Sequence, residues 1–138
     1  MATGKVVVHV DGGARGNPGP AGAGAVATDE QGGILGERGA YVGETTNNVA
    51  EYHAILLGIE LASELGAREV ALVNDSEVVA RQITGEYKVK QAHLKPLRAK
   101  VIEALQGFEK WSVRSVRRED NERADELYNE ALDKELRG

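Results

Sequence analysis

Four acids stand at positions where a carboxylate is hard to place: Asp11, Glu51, Asp75 and Asp125. Glu51 is the clearest. On a helical wheel with Glu51 at 0° and about 100° per residue, Gly58 and Ala62 fall about 20° to either side of it. Ala54, Ile55, Leu61 and Leu65 fall within about 80° on the same wheel, while His53, Glu60 and Glu64 lie opposite. Glu51 is therefore centred on the apolar face, among small residues. An unpaired buried carboxylate is costly, so either a cation or a strong donor, an Arg or backbone N–H groups, has to meet it. In the last helix Ala124, Leu127, Tyr128, Ala131 and Leu132 form an apolar stripe, with Asp125 about 20° from Leu132 at its edge. Taken alone, Asp125 also fits a half-exposed acid favoured by the helix dipole. Asp11 ends a first strand and Asp75 a fourth. Alone, Asp11 also fits a turn former before Gly12-Gly13, and Asp75 a helix N-cap. Together, two acids at strand ends and two on helix faces turned to the sheet repel unless a cation joins them. Oxygen ligands with no cysteine and no His pair at ligand spacing suit Mg²⁺ or Mn²⁺. That chemistry points to phosphoryl transfer with two ions roughly 4 Å apart.

The elements that must position these acids follow from pattern. Residues 5–11 (KVVVHVD) are β-branched and read as a strand. Residues 12–22, rich in Gly with Asn17, Pro18 and Pro20, read as a loop. Residues 23–28 and 34–42 read as strands around a turn at 29–33, giving an antiparallel meander. A long helix is expected over 46–66 with Gly66 as its stop, then a strand at 69–74 and a short helix at 76–83. Pro96 suits the first turn of a helix ending at 105. A strand at 110–117 and a helix at 121–136, with Asn121 as N-cap, complete the order βββαβααβα. This predicts an α/β fold: a five-stranded mixed sheet flanked by helices.

The 138 residues suit one domain over 1–138, with no repeat or linker. No apolar run approaches the ~20 residues of a membrane span, so no membrane partner is expected. The first ten residues are too short for a signal peptide and have no small-residue cleavage site. The absence of cysteine excludes disulfides and thiolate chemistry, and suits the cytoplasm. The net charge of −5 counts against a nucleic-acid partner. Locally, however, residues 87–100 carry Lys88, Lys90, Lys95, Arg98 and Lys100 and no acid. This segment is either a grip on phosphates or a solvated helix face.

Four stretches of this chain, in this order, resemble the signature blocks of type 1 ribonuclease H: 11–19 (DGGARGNPG), 46–51 (TNNVAE), Asp75-Ser76 after a strand, and 121–127 (NERADEL). The resemblance covers nearly the whole chain and implies the ribonuclease H-like fold. It implies an endonuclease that hydrolyses the RNA strand of RNA/DNA hybrids with two Mg²⁺ or Mn²⁺ ions, leaving 5′-phosphate and 3′-hydroxyl ends. Asp11, Glu51, Asp75 and Asp125 match the family's four carboxylates. The resemblance gives Asp11 the bridging position, Glu51 the leaving-group side, and Asp75 and Asp125 the nucleophile side. It implies substrate contacts from Asn17, Asn47 and Asn48, and from the backbone of Gly12 and Gly13, near the RNA sugars. Thr46 is open between a phosphate contact and the N-cap of the long helix. A monomer is expected.

The chain departs from the family pattern in three places. A loop His before the last acid is missing, for His9, His53 and His93 lie elsewhere. Arg118, seven residues before Asp125, either replaces it in part or is a surface residue. Ser76 is followed by Glu77 where relatives have Gln, which puts one base contact in doubt. Only 49 residues separate Asp75 from Asp125, leaving little room for an extra basic helix, so the Lys88–Lys100 segment must supply any grip. Trp111 is read as core rather than as a stacking platform. Two rival classes are a hybrid-binding module without catalysis and a phosphate-binding fold of the sugar kinase and actin type. The first is disfavoured by the presence of all four acids, the second by length.

Overall fold

The computed structural model describes residues 4–137, and the ends of the expected 1–138 domain lie outside them. Five strands form one sheet: β1 (Lys5–Ala14), β2 (Gly19–Thr28), β3 (Ile34–Thr45), β4 (Glu69–Asn74) and β5 (Lys110–Ser115). Their order is β3-β2-β1-β4-β5. The β1–β2 and β2–β3 pairs are antiparallel, as short hairpin connections require. The β1–β4 and β4–β5 pairs are parallel and are joined through helices. The helices are α1 (Asn47–Glu64), α2 (Glu77–Thr84), α3 (Lys95–Leu105) and α4 (Glu122–Arg137). The expected element order and mixed sheet are found.

The glycine-rich stretch is where the expectation fails. Residues 12–22 are mostly strand, not loop: β1 runs on to Ala14, β2 starts at Gly19, and only 15–18 turn. The glycines there remove side chains between sheet and helices. A Cβ at Gly12 would lie 2.3 Å from the Ala50 carbonyl oxygen of α1, and one at Gly24 would lie 2.3 Å from the Ala124 carbonyl oxygen of α4. Successive strand residues face opposite sides. Gly12 meets α1 and Gly13 meets Tyr128 of α4, so the two helices cover opposite faces of β1. Backbone-to-backbone packing of this kind looks like turn chemistry in a single sequence.

The main core lies between the sheet and α1, where Val6, Val8, Val10, Ile55 and Leu72 are buried. Gly58 lets α1 approach the side chains of Val8 and Val10. Leu105 and Val101 of α3 are buried in the same cluster, so α1 is covered on a second side and shows little amphipathic bias. Trp111 packs at the margin of this core, as expected. Other boundaries shift by a few residues. β3 reaches Thr45 rather than 42, and β5 stops at Ser115 rather than 117. A short 3-10 turn (Ala92–Leu94) leads into α3, with Pro96 in its first turn. Ser76 caps α2 by accepting from the Val79 N–H at 3.3 Å. Among the described residues no helix is long and apolar enough to cross a membrane.

Candidate active site

The register of the parallel strands fixes two of the acids. Pairing of β1 with β4 ends at His9↔Val73. Asp11 follows two residues later on β1, and Asp75 directly follows β4. Both therefore stand at the carboxyl end of the same parallel pair, the place where open α/β sheets collect ligands. Glu51 comes to this end from the start of α1, and Asp125 from the first turn of α4. Neither residue is fully exposed.

The electrostatics show that the four belong to one neighbourhood. Asp11 is 8% exposed. Burial, and then the charges of Asp75 and Asp125, push its carboxyl up to about 8, with the Gly12 N–H pulling the other way. Burial, and then the Asp75 charge, push Glu51 up to about 7, opposed by the Ser76 hydroxyl. Burial also raises Asp75; Arg118 lowers it and Asp125 raises it further. Desolvation and like charge act together here. Among the described residues no three His, Asp or Glu side chains stand close enough to grip an ion unaided. The acids are interacting neighbours, not a finished cage.

The donor set fits a hard divalent ion. Glu51 Oε2 is buried and has no hydrogen-bond partner among the described residues. A buried carboxylate oxygen left without a donor is what a cation or ordered water satisfies. The donor alternative raised by the wheel, an Arg or a backbone N–H, is therefore not realised at that oxygen. Two further orphans, Asn74 Nδ2 and Asn121 Oδ1, flank Asp75 in sequence and space.

The sequence marks Asn121 only as a helix cap. Its Nδ2 instead donates to the Val10 carbonyl oxygen at 2.9 Å, tying the start of α4 to the residue before Asp11. The signal is present in the NERADEL block but is indistinguishable there from a cap. Tyr128, read as part of the apolar stripe, places its hydroxyl against Gly13. Arg15, unmarked in the sequence, pins the 15–18 turn to α4 through Asp133 at 2.8 Å and the Asn129 Oδ1 at 3.0 Å.

The residues expected to touch substrate divide into several kinds. Asn17 Oδ1 accepts from the Asn47 N–H at 3.0 Å, and Asn47 Oδ1 accepts from the Ala14 N–H at 2.8 Å. The two side chains stitch the turn to the start of α1 through their oxygens. Both residues, and Asn48, are exposed. The Thr46 hydroxyl accepts from the Val49 N–H at 3.3 Å, the N-cap alternative. Gly12 and Gly13 are buried under α1 and α4, not displayed on a loop. Arg118 is exposed and near enough to Asp75 to favour its charged form.

Lys88 and Lys90 are exposed on the segment between α2 and α3. Lys88 lines a groove of about 470 Å³ together with Gly85, Tyr87, Lys95 and Arg98. Arg98 is committed elsewhere: its Nε donates to the Gln82 carbonyl oxygen at 2.6 Å and Nη2 to that of Ile83 at 3.4 Å. It closes the end of α2. The basic stretch is thus part structural and part free.

A five-stranded mixed sheet with helices on both faces and acids at the carboxyl end of its parallel pair defines a ribonuclease H-like domain. The family described as reverse transcriptase-like matches residues 9–131. The chain is 44% identical over 130 residues to the ribonuclease HI of Halobacterium salinarum, covering 94% of this chain and 65% of that protein. The crystal structure of RNase H1 from that archaeon superposes with a TM-score of 0.92, at 43% identity, covering 94% of this chain and 98% of that one. LC11-RNase H1, in its crystal structure with an RNA/DNA hybrid, gives a TM-score of 0.91 at 47% identity, covering 95% and 99%. The ribonuclease H of Hydrogenovibrio crunogenus is 36% identical over 97% of this chain and 99% of its own length. The chain belongs to the type 1 ribonuclease H family.

Proposed function

We propose that this chain is a metal-dependent endonuclease that hydrolyses the RNA strand of RNA/DNA hybrids, leaving 5′-phosphate and 3′-hydroxyl ends. The observation that carries the reading is the meeting of Asp11, Glu51, Asp75 and Asp125 at one sheet end, with a buried, partnerless oxygen on Glu51. The hybrid bound by LC11-RNase H1 supports the substrate class. Asp11, Glu51, Asp75 and Asp125 would hold two Mg²⁺ or Mn²⁺ ions, with the substrate phosphate completing the ligand set. Bound there, the ions would activate the attacking water and offset charge on the leaving 3′-oxygen.

The chain's own residues do the rest. Asp11, on a strand covered by helices on both faces, is the most buried of the four acids. Arg118 sets positive charge beside Asp75 and eases the crowding of anions. The Asn17–Asn47 relay fixes the turn against α1, so the exposed amide groups meet a duplex in a set register. Their Nδ2 groups are donors suited to sugar and base-edge acceptors in a minor groove. All four acids come from one chain, which supports a monomer, and the absence of cysteine supports a cytoplasmic setting.

The test is cleavage of RNA/DNA, RNA/RNA and DNA/DNA duplexes with Mg²⁺, with Mn²⁺ and with chelator. Cleavage of the hybrid's RNA strand that depends on metal is expected. A protein that binds the hybrid but never cuts it would leave the binding-module alternative.

The free lysines should contribute binding and not chemistry. The Lys88→Ala/Lys90→Ala double variant is expected to raise KM for the hybrid at unchanged kcat. Each phosphate no longer neutralised by a lysine should lower the salt slope of binding by about one unit. KM measured across a salt series checks this, and an unchanged slope would make the segment a solvated face.

A further inference from the structure

Tyr128 lies on α4 three residues beyond Asp125, so the two side chains share a helix face. Its ring belongs to the packing of α4 on the sheet, but its hydroxyl does not need to be there. Ala124, Leu127, Ala131 and Leu132 fill the rest of that stripe without a polar atom. The hydroxyl occupies the space a side chain on Gly13 would take: a Cβ at Gly13 would lie 2.8 Å from Tyr128 Oη. Gly13 is the same-face neighbour of Asp11, two residues along β1. The phenol tip is thus bracketed by Asp11 on the strand and Asp125 on the helix. Burial, and then those two charges, disfavour its ionisation and keep it in the donor form. The adjacent Asn129 side chain is a hydrogen-bonding neighbour of the phenol that opposes this shift; it also donates to the Asp125 carbonyl oxygen at 3.0 Å and accepts from Arg15 at 3.0 Å.

We propose that the Tyr128 hydroxyl is a positioning donor for the Asp11–Asp125 pair, hydrogen-bonding their carboxylates when both are charged and so holding them ready for a cation. The inference rests on the acid site proposed above. Two neighbouring carboxylates repel in a partly buried site, and a neutral donor between them offsets that repulsion without competing for the ion.

The test compares the wild type with Tyr128→Phe, which keeps the ring and removes the oxygen. Thermal unfolding titrated with Mg²⁺, without nucleic acid, reads the affinity for the ion independently of cleavage. The midpoint is expected to move to about tenfold higher Mg²⁺, the loss of one hydrogen bond to a charged group. At low Mg²⁺, kcat should fall by a similar factor and recover as Mg²⁺ is raised. KM for the hybrid and the Tm in chelator should stay unchanged. An unshifted midpoint overturns the proposal, and so does a lower Tm in chelator with no shift in midpoint, which would make Tyr128 a packing residue. A wild type whose Tm does not respond to Mg²⁺ overturns both this role and the metal site. A wild type that responds to Mg²⁺ but cuts no hybrid overturns the cleavage reading alone, and the midpoint still decides for Tyr128.

Discussion

Asp75→Asn is expected to lower turnover on RNA/DNA hybrids by about 10³-fold or more, on the scale of removing other preorganised charge-stabilising groups. The variant should fold normally. The competing explanation of Asp75 is a helix N-cap, whose loss would destabilise α2. The structure assigns that cap to Ser76, whose hydroxyl accepts from the Val79 N–H. Asp75 is therefore free of a capping duty. Its charge instead disfavours the ionisation of both Asp11 and Glu51, so removing it relieves strain in the metal-free site. Asn keeps the shape and one oxygen but not the charge needed to hold an ion. Steady-state turnover at saturating Mg²⁺, paired with thermal unfolding in chelator, separates the possibilities. Near-normal turnover would sink the role proposed for Asp75. A variant with a markedly lower Tm in chelator would make Asp75 a structural residue.

Much of this arrangement is legible in the sequence because the acids violate the pattern around them. Glu51 sits on the apolar side of an otherwise regular helix, and the wheel finds it without any knowledge of the sheet. Asp75 becomes informative once the end of β4 is located, whereas Asp11 does not end its strand as expected: β1 runs on to Ala14, and it is the parallel pairing with β4 that stops before Asp11. What the sequence hides is packing that needs no side chain. Gly12, Gly13 and Gly22 look like loop residues, yet they lie in strands whose neighbours are helix backbones or the Tyr128 ring. Glycine serves a turn and a close approach equally, so local pattern cannot separate the two. Asn121 and Tyr128 are hidden for a related reason. A capping amide and an apolar stripe are sufficient explanations locally, and only the contacts with Val10 and Gly13, more than a hundred residues away, show their other partners.

Glu51→Gln is expected to stabilise the metal-free protein, and the gain should depend on pH. In the fold the Glu51 carboxyl is pushed up to about 7 from an ordinary value of 4.5, burial being the main cause and Asp75 the second. Well below pH 4.5 the carboxyl is largely protonated folded and unfolded alike, so it makes little difference to stability. Between 4.5 and 7 the unfolded chain releases this proton more readily than the folded one, and the penalty grows with pH. Above 7 it is constant. Each unit of displacement is worth ~1.4 kcal/mol, giving a ceiling of about 3 kcal/mol. Gln removes that penalty but leaves a polar atom at the position of the partnerless Oε2, which returns about 1 kcal/mol or more. The net gain in chelator at pH 8.5 is then about 1–2 kcal/mol, a rise in Tm of roughly 4–8 °C for a domain of this size. At pH 5 the rise should nearly vanish. Mg²⁺ should also shrink it, because the wild type gains binding energy that the variant has lost. Thermal unfolding of both proteins at the two pH values, in chelator and in Mg²⁺, measures all of this. A variant less stable than the wild type in chelator at pH 8.5 would show that the Glu51 carboxylate is satisfied by the fold itself and does not await a cation.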